Sequence, residues 1–110
     1  MPEDRQSTRV VAELPVKVRG IDAEGQSHMQ DAVVRNISLG GALVSGLAFR
    51  LRTGDLMAIQ YGEKTARFRV IWTRDSRGHE KYQAAVQRLP DDECLWKDML
   101  EKATITKGRF

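Results

Sequence analysis

A mostly-β fold, a six-stranded antiparallel barrel followed by one C-terminal helix, is what this 110-residue sequence predicts. Three observations carry that expectation. Apolar and polar residues alternate with period two through much of residues 9–89. Turn chemistry recurs about every ten residues along the same stretch. After Pro90 the apolar spacing changes to helical intervals. An open six-stranded sheet would expose two edges, and closure into a barrel removes them.

Residues 1–8 are polar and aperiodic and are expected to form a mobile arm. The first strand follows, with Ala12, Leu14, Val16 and Val18 inward and Glu13, Lys17 and Arg19 outward. Pro15 has no N–H to donate, so this strand is an edge or turns that position outward. Gly20–Gly25 is a turn. A second strand is expected over Met29–Ile37, where both parities carry apolar residues and the inward face stays ambiguous. Ser38-Leu39-Gly40-Gly41 breaks it, and Ala42-Leu43-Val44 forms a short strand. Leu56–Tyr61 is the fourth. In the fifth, Ala66, Phe68, Val70 and Trp72 alternate inward against Arg67, Arg69, Ile71 and Thr73. Lys81–Leu89 closes the barrel with Tyr82, Ala84 and Val86 inward. Asp91 or Asp92 is the expected N-cap of a helix over 91–103 carrying Leu95, Met99, Leu100 and Ala103. Its acidic start and Lys102 near its end suit the macrodipole, and 104–110 forms a tail.

Composition excludes several classes of function. With 41% hydrophobic and 30% charged residues the chain is globular rather than disordered, and its length suits one domain spanning 1–110. No apolar run approaches the roughly 20 residues of a membrane span. The polar start predicts no secretory signal, and a cytoplasmic location is expected. Cys94 is alone, so no internal disulfide forms; a half-buried helix position is expected for it. His28 and His79 lie far apart with no partner at metal-ligand spacing, so no metal is expected. No nucleophile, base and orienting acid stand in a recognisable array, and no phosphate-binding glycine loop is present. An enzyme is not expected. A net charge of +3 favours anions without implying broad DNA binding. Arginine outnumbers lysine two to one, which suits phosphates and guanine edges.

Two elements stand out. Arg5-Gln6-Ser7-Thr8-Arg9 places two arginines four apart where the arm meets the first strand. Asn36-Ile37-Ser38-Leu39-Gly40-Gly41 ends the second strand with small and polar residues. Singly, a solvated arginine pair and an ordinary turn explain them.

Together, Arg5-x-x-x-Arg9 ahead of the first strand and Asn36-x-Ser38-x-x-Gly41 after the second resemble the two-part signature of the PilZ family. The resemblance extends over most of the chain, including the six strands, Trp72 in the fifth and the terminal helix. It implies a receptor for cyclic di-GMP, with Arg5, Arg9, Asn36, Ser38 and Gly41 as binding residues, no cofactor, and an unidentified downstream protein as partner. The chemistry agrees. A guanidinium can fork onto a phosphate or the O6/N7 edge of guanine, Asn36 offers an amide, Ser38 a hydroxyl, and Gly41 a close approach. Many family members carry aspartate where this chain has Asn36, which lacks the charge that best receives guanine N–H groups. Ordering of residues 1–8 over the ligand would present a new surface to the partner. Two rivals remain. One is a PilZ-like protein-interaction module that binds no dinucleotide. The other is a barrel for single-stranded nucleic acid using Arg67, Arg69, Arg74 and Arg77, disfavoured because Phe68 and Trp72 are expected inward and leave that face without stacking platforms.

Overall fold

Strands that alternate apolar and polar side chains can bury only one face, and those of this chain bury it around a common axis. The computed structural model describes residues 9–21, 24–75 and 81–101. Its strands in chain order are β1 (Val10–Ile21), β2 (Ser27–Ile37), β3 (Gly41–Leu47), β4 (Leu56–Tyr61), β5 (Lys64–Asp75) and β6 (Tyr82–Arg88). The order β1-β2-β3-β6-β5-β4 closes through β1 and β4, and every pairing is antiparallel. The expected barrel is the observed one. β4 reaches only Lys17–Gly20 of β1, so Pro15 lies where β1 has a ladder on one side alone.

Val18, Val34, Val44, Ile59, Phe68, Val70 and Ala84 fill the interior, each at most 1% exposed. Phe49 and Leu51 close the end near Gly20, whose missing side chain leaves room for the Phe49 ring. Trp96, with Leu95 and Leu100, closes the other end and lies 5.8 Å from Phe68, ring to ring. Burying each large side chain contributes roughly 1.5–3 kcal/mol, so these plugs are a substantial part of the core.

Bulges settle the phases that alternation left open. Val34 and Asn36 of β2 pair with Val44 and Leu43, adjacent residues of β3, so Arg35 is the extra residue. Parity switches there: Ala32 and Val34 point inward before it and Ile37 after it. β5 bulges likewise. Val70 and Trp72 pair with Val86 and Ala85, and Ile71 is inserted. The expected inward Trp72 is therefore corrected: it lies on the outer wall, 39% exposed, beside Ile71 at 42%. Phe68, before the bulge, stays inward.

The terminal helix also differs. Residues 91–96 are turn and irregular, and the described helix, α1 (97–101), begins later than expected. Asp92 does not cap it. Its carboxylate accepts from the backbone N–H of Arg67 at 2.6 Å and from the guanidinium at 3.2 and 3.0 Å. Cys94 is half-buried, as expected, but lies in the irregular stretch before the helix rather than in it. The arm over 1–8, Arg77, His79, residues 102–103 of the expected helix and the tail lie outside the described residues. Among the described residues no helix is long and apolar enough to cross a membrane, and no cluster of His, Cys, Asp and Glu could hold a metal ion.

Candidate ligand site at the β2–β3 turn

The site is built by one row of residues across four strands. Asn36 of β2 pairs with Leu43 of β3, Leu43 with Ala85 of β6, and Ala85 with Trp72 of β5. The row spans three interstrand spacings, roughly 14 Å. The small side chain of Ala85 stands between Leu43 and Trp72, and a hollow of about 330 Å³ opens there. Arg9, Asn36, Ser38, Gly41, Trp72 and Gln87 are among the residues lining it. Among the described residues no carboxylate does.

Asn36 is half-buried, and among the described residues its carboxamide has no hydrogen-bond partner. No buried polar side-chain atom in those residues is left unsatisfied, so the amide faces solvent. Arg9 is exposed and, among the described residues, makes no ion pair. Both groups are available. Arg5 lies outside the described residues.

Ser38 and Gly41 work differently from Asn36. The Ser38 hydroxyl accepts the Gly41 N–H at 3.1 Å and lies 3.4 Å from the Gly41 carbonyl, to which it donates. The Ser38 N–H donates to that carbonyl at 3.0 Å. One lone pair remains on the hydroxyl, whose principal task is to shape the turn. Gly41 is required by the barrel itself, since a Cβ there would meet the Val86 carbonyl oxygen at 2.2 Å. Close approach of β6 is by itself sufficient reason for that glycine, which also lines the hollow.

The turn is also held from behind. Trp96 Nε1 donates to the Ser38 carbonyl at 2.9 Å, Arg88 Nε to that of Leu39 at 3.0 Å, and the Arg88 amide to that of Gly40 at 2.7 Å. Arg88 also bonds the Asp92 carbonyl, and Arg67 anchors the Asp92 side chain. The hydrogen bonds from the Arg67 side chain and backbone hold the Asp92 carboxyl below its usual range, and Asp92 raises the Arg67 guanidinium.

Trp72 is the site residue that alternation missed. The signal was the run Val70-Ile71-Trp72, three apolar residues in succession where period two allows two on one face. Arg74 Cζ lies 5.1 Å from the Trp72 ring centroid, within cation–π range. A wider depression of about 1220 Å³ crosses the wall elsewhere, past Lys17, Asp31, Arg35 and Gln83. Several polar groups there are already engaged, Lys17 with Asp31 at 2.9 Å, Arg35 with Glu13 at 3.3 Å and Gln83 with Arg74 at 3.0 Å, and two carboxylates, Asp31 and Asp75, line it. The smaller hollow is the better candidate for an anionic ligand, because the described residues that line it include an unpaired amide and an unpaired guanidinium and no carboxylate.

A small closed barrel thus gathers an arginine, an amide and an indole around one hollow on its outer wall. The chain belongs to the PilZ domain family, whose model matches residues 3–103, and that is a family of cyclic di-GMP receptors. Comparison with curated protein sequences gives no match. Among solved structures, the fold is similar to the PilZ domain of CeSA from a cellulose-synthesizing bacterium, at 23% identity and a TM-score of 0.56 over 78% of this chain and 84% of that one. It is also similar to MrkH, a c-di-GMP-dependent transcription regulatory factor, at 18% identity and a TM-score of 0.55. That match covers 91% of this chain and 49% of MrkH, so the chain spans about half of that protein.

Proposed function

We propose that this chain binds cyclic di-GMP in the β2–β3 hollow and relays the signal to a partner protein, and that it catalyses no reaction. One observation carries the reading: the Asn36 amide and the Arg9 guanidinium, both without a partner among the described residues, and the outward Trp72 ring share a hollow that no carboxylate of the described residues lines. Each group suits a part of the ligand. Arg9 can fork onto a phosphodiester or a guanine O6/N7 edge. Asn36 can accept from and donate to a guanine edge. Trp72, with Arg74 beside it, gives a base a π-face to stack on.

At about 330 Å³ the hollow sits at the lower end of the roughly 300–1,000 Å³ usual for ligand pockets. The barrel wall alone would leave a dinucleotide partly uncovered. Closure of residues 1–8, bringing Arg5 over the ligand, completes the site in this proposal. Fixing those residues costs roughly 1–2 kcal/mol each in backbone entropy, which charge-assisted bonds at about 1.5–3 kcal/mol apiece can offset. The ordered segment then forms part of the surface that the partner reads. Cyclic di-GMP is a bacterial intracellular messenger, so the proposed place of action is the cytoplasm.

The outward Trp72 also removes one objection to the nucleic-acid reading, since a stacking platform does face solvent. Of the arginines invoked there, Arg67 is committed to Asp92 and Arg69 to the Gly54 carbonyl. Calorimetric titration separates the alternatives. Cyclic di-GMP should bind the parent with saturable heat and GTP should not. Arg5→Ala and Arg9→Ala should each weaken binding tenfold or more, and Lys64→Ala should not. Equal heats for all four proteins contradict the clamp. No heat at all favours the protein-interaction module, and salt-sensitive binding of an oligonucleotide with no dinucleotide response favours the nucleic-acid barrel.

A further inference from the structure

The three consecutive carbonyls of the β2–β3 turn all receive donors from one segment of chain that touches no part of the hollow's outer face. Trp96 Nε1 holds Ser38, Arg88 Nε holds Leu39 and the Arg88 amide holds Gly40. Trp96 is 1% exposed and packed on Phe68, so its indole N–H is aimed by the core rather than by solvent. Arg88 is fixed in turn by the Asp92 carbonyl, and Asp92 by Arg67. Nothing in ligand chemistry requires this. A two-residue turn tip could leave its carbonyls to water.

We infer that Trp96 and Arg88 are positioning residues that clamp the Asn36–Gly41 turn from inside, so that docking of the C-terminal segment and occupancy of the hollow are linked. The consequence rests on the cyclic di-GMP reading; the clamp does not. With its carbonyls tied inward, the turn presents Asn36 and the remaining Ser38 lone pair in one arrangement, and a ligand need not select it from many. Linkage is reciprocal. Whatever factor segment docking adds to ligand affinity, bound ligand must add to segment docking. A partner that draws on residues 89–101 would therefore change ligand affinity without touching the ligand, which gives the domain an output distinct from its N-terminal arm.

Trp96→Phe tests the clamp, because it keeps a ring against Phe68 and deletes the donor. Hydrogen exchange on the full chain without ligand should show the Gly41 amide, bonded to Ser38 Oγ, exchanging about tenfold faster, while β4 and β5 amides keep their rates. Affinity for cyclic di-GMP by calorimetry should fall about tenfold. In the parent, saturating cyclic di-GMP should slow exchange of the Trp96 indole N–H. Ile59→Ala, a core deletion at the β4 wall, should speed exchange throughout the barrel without singling out Gly41. Should Trp96→Phe fail to fold, Arg88→Lys, which keeps the charge and the Gly40 bond but loses the fork, should give the same pattern. Unchanged Gly41 exchange overturns the proposal, as does acceleration in step with β4 and β5. Failure of the parent to bind cyclic di-GMP would defeat the ligand reading, while Gly41 exchange would still decide the clamp.

Discussion

The two sides of the hollow are held in opposite ways. Its floor, the Ser38–Gly41 turn, has the Ser38, Leu39 and Gly40 carbonyls tied to β6 or to the segment after it and the Gly41 carbonyl tied to Ser38, and it tolerates no side chain at Gly41. Its far wall, Trp72, stands out from a bulge, 39% exposed, with Arg74 over its ring. Preformed polar geometry belongs where hydrogen bonds must be aimed. An adaptable aromatic face belongs where a planar base needs contact rather than direction. The difference predicts that floor substitutions disturb fold and binding together, whereas wall substitutions disturb binding alone.

The sharpest way to break that contrast is Gly41→Ala. The new methyl must displace the Val86 carbonyl from 2.2 Å, and overpacking against backbone should cost about 3 kcal/mol or more. A Tm lowered by roughly 12 °C or more is expected by differential scanning calorimetry. Its neighbour supplies the control. Nothing lies within 4 Å of a Cβ at Gly40, and its φ is not in the left-handed region. Gly40→Ala should shift stability by no more than about 0.5 kcal/mol.

Next in size, Arg9→Ala and Asn36→Ala should each lower affinity tenfold or more with little change in Tm, because neither side chain has a protein partner to lose among the described residues. Trp72→Ala should weaken binding by about 1–3 kcal/mol, the usual worth of one stacked base. Tryptophan fluorescence can follow this, since the buried Trp96 should respond less than the exposed Trp72.

The smallest expected effect is acid sensitivity of the segment behind the floor. Hydrogen bonds from Arg67 depress the Asp92 carboxyl below its ordinary 3.8. A depressed folded-state value gives stability that is complete above the ordinary carboxylate range and is lost as pH falls through the folded value. Arg67 is raised and stays charged throughout. Trp96 emission should therefore be flat near neutrality and change below about pH 4, and Asp92→Asn should remove most of that change.

How much of this the sequence carries differs from element to element. β4 reads out at its true bounds because Gly54 and Gly62 punctuate it and its partner β5 shares the alternation. Asn36 and Ser38 were legible as a motif, and the β1 phase as simple parity. Trp72 was not, because a bulge is a property of the pairing between β5 and β6 and leaves only a doubled apolar residue behind. Asp92 had the look of an N-cap because local rules see only local amides, whereas the N–H it found belongs to Arg67 on β5. The purpose of Gly41 was hidden for the same reason: the atom that forbids a side chain there is Val86 O, across the sheet.

The most direct test is a backbone-amide NMR titration of the full chain with cyclic di-GMP. Shifts should gather at Arg9, residues 36–41, Ile71, Trp72 and 85–87, and the indole signal of Trp72 should move. Shifts centred instead on Lys17, Arg35 and Gln83 would put the ligand in the wider depression, and a spectrum unchanged at saturating dinucleotide would contradict the account outright.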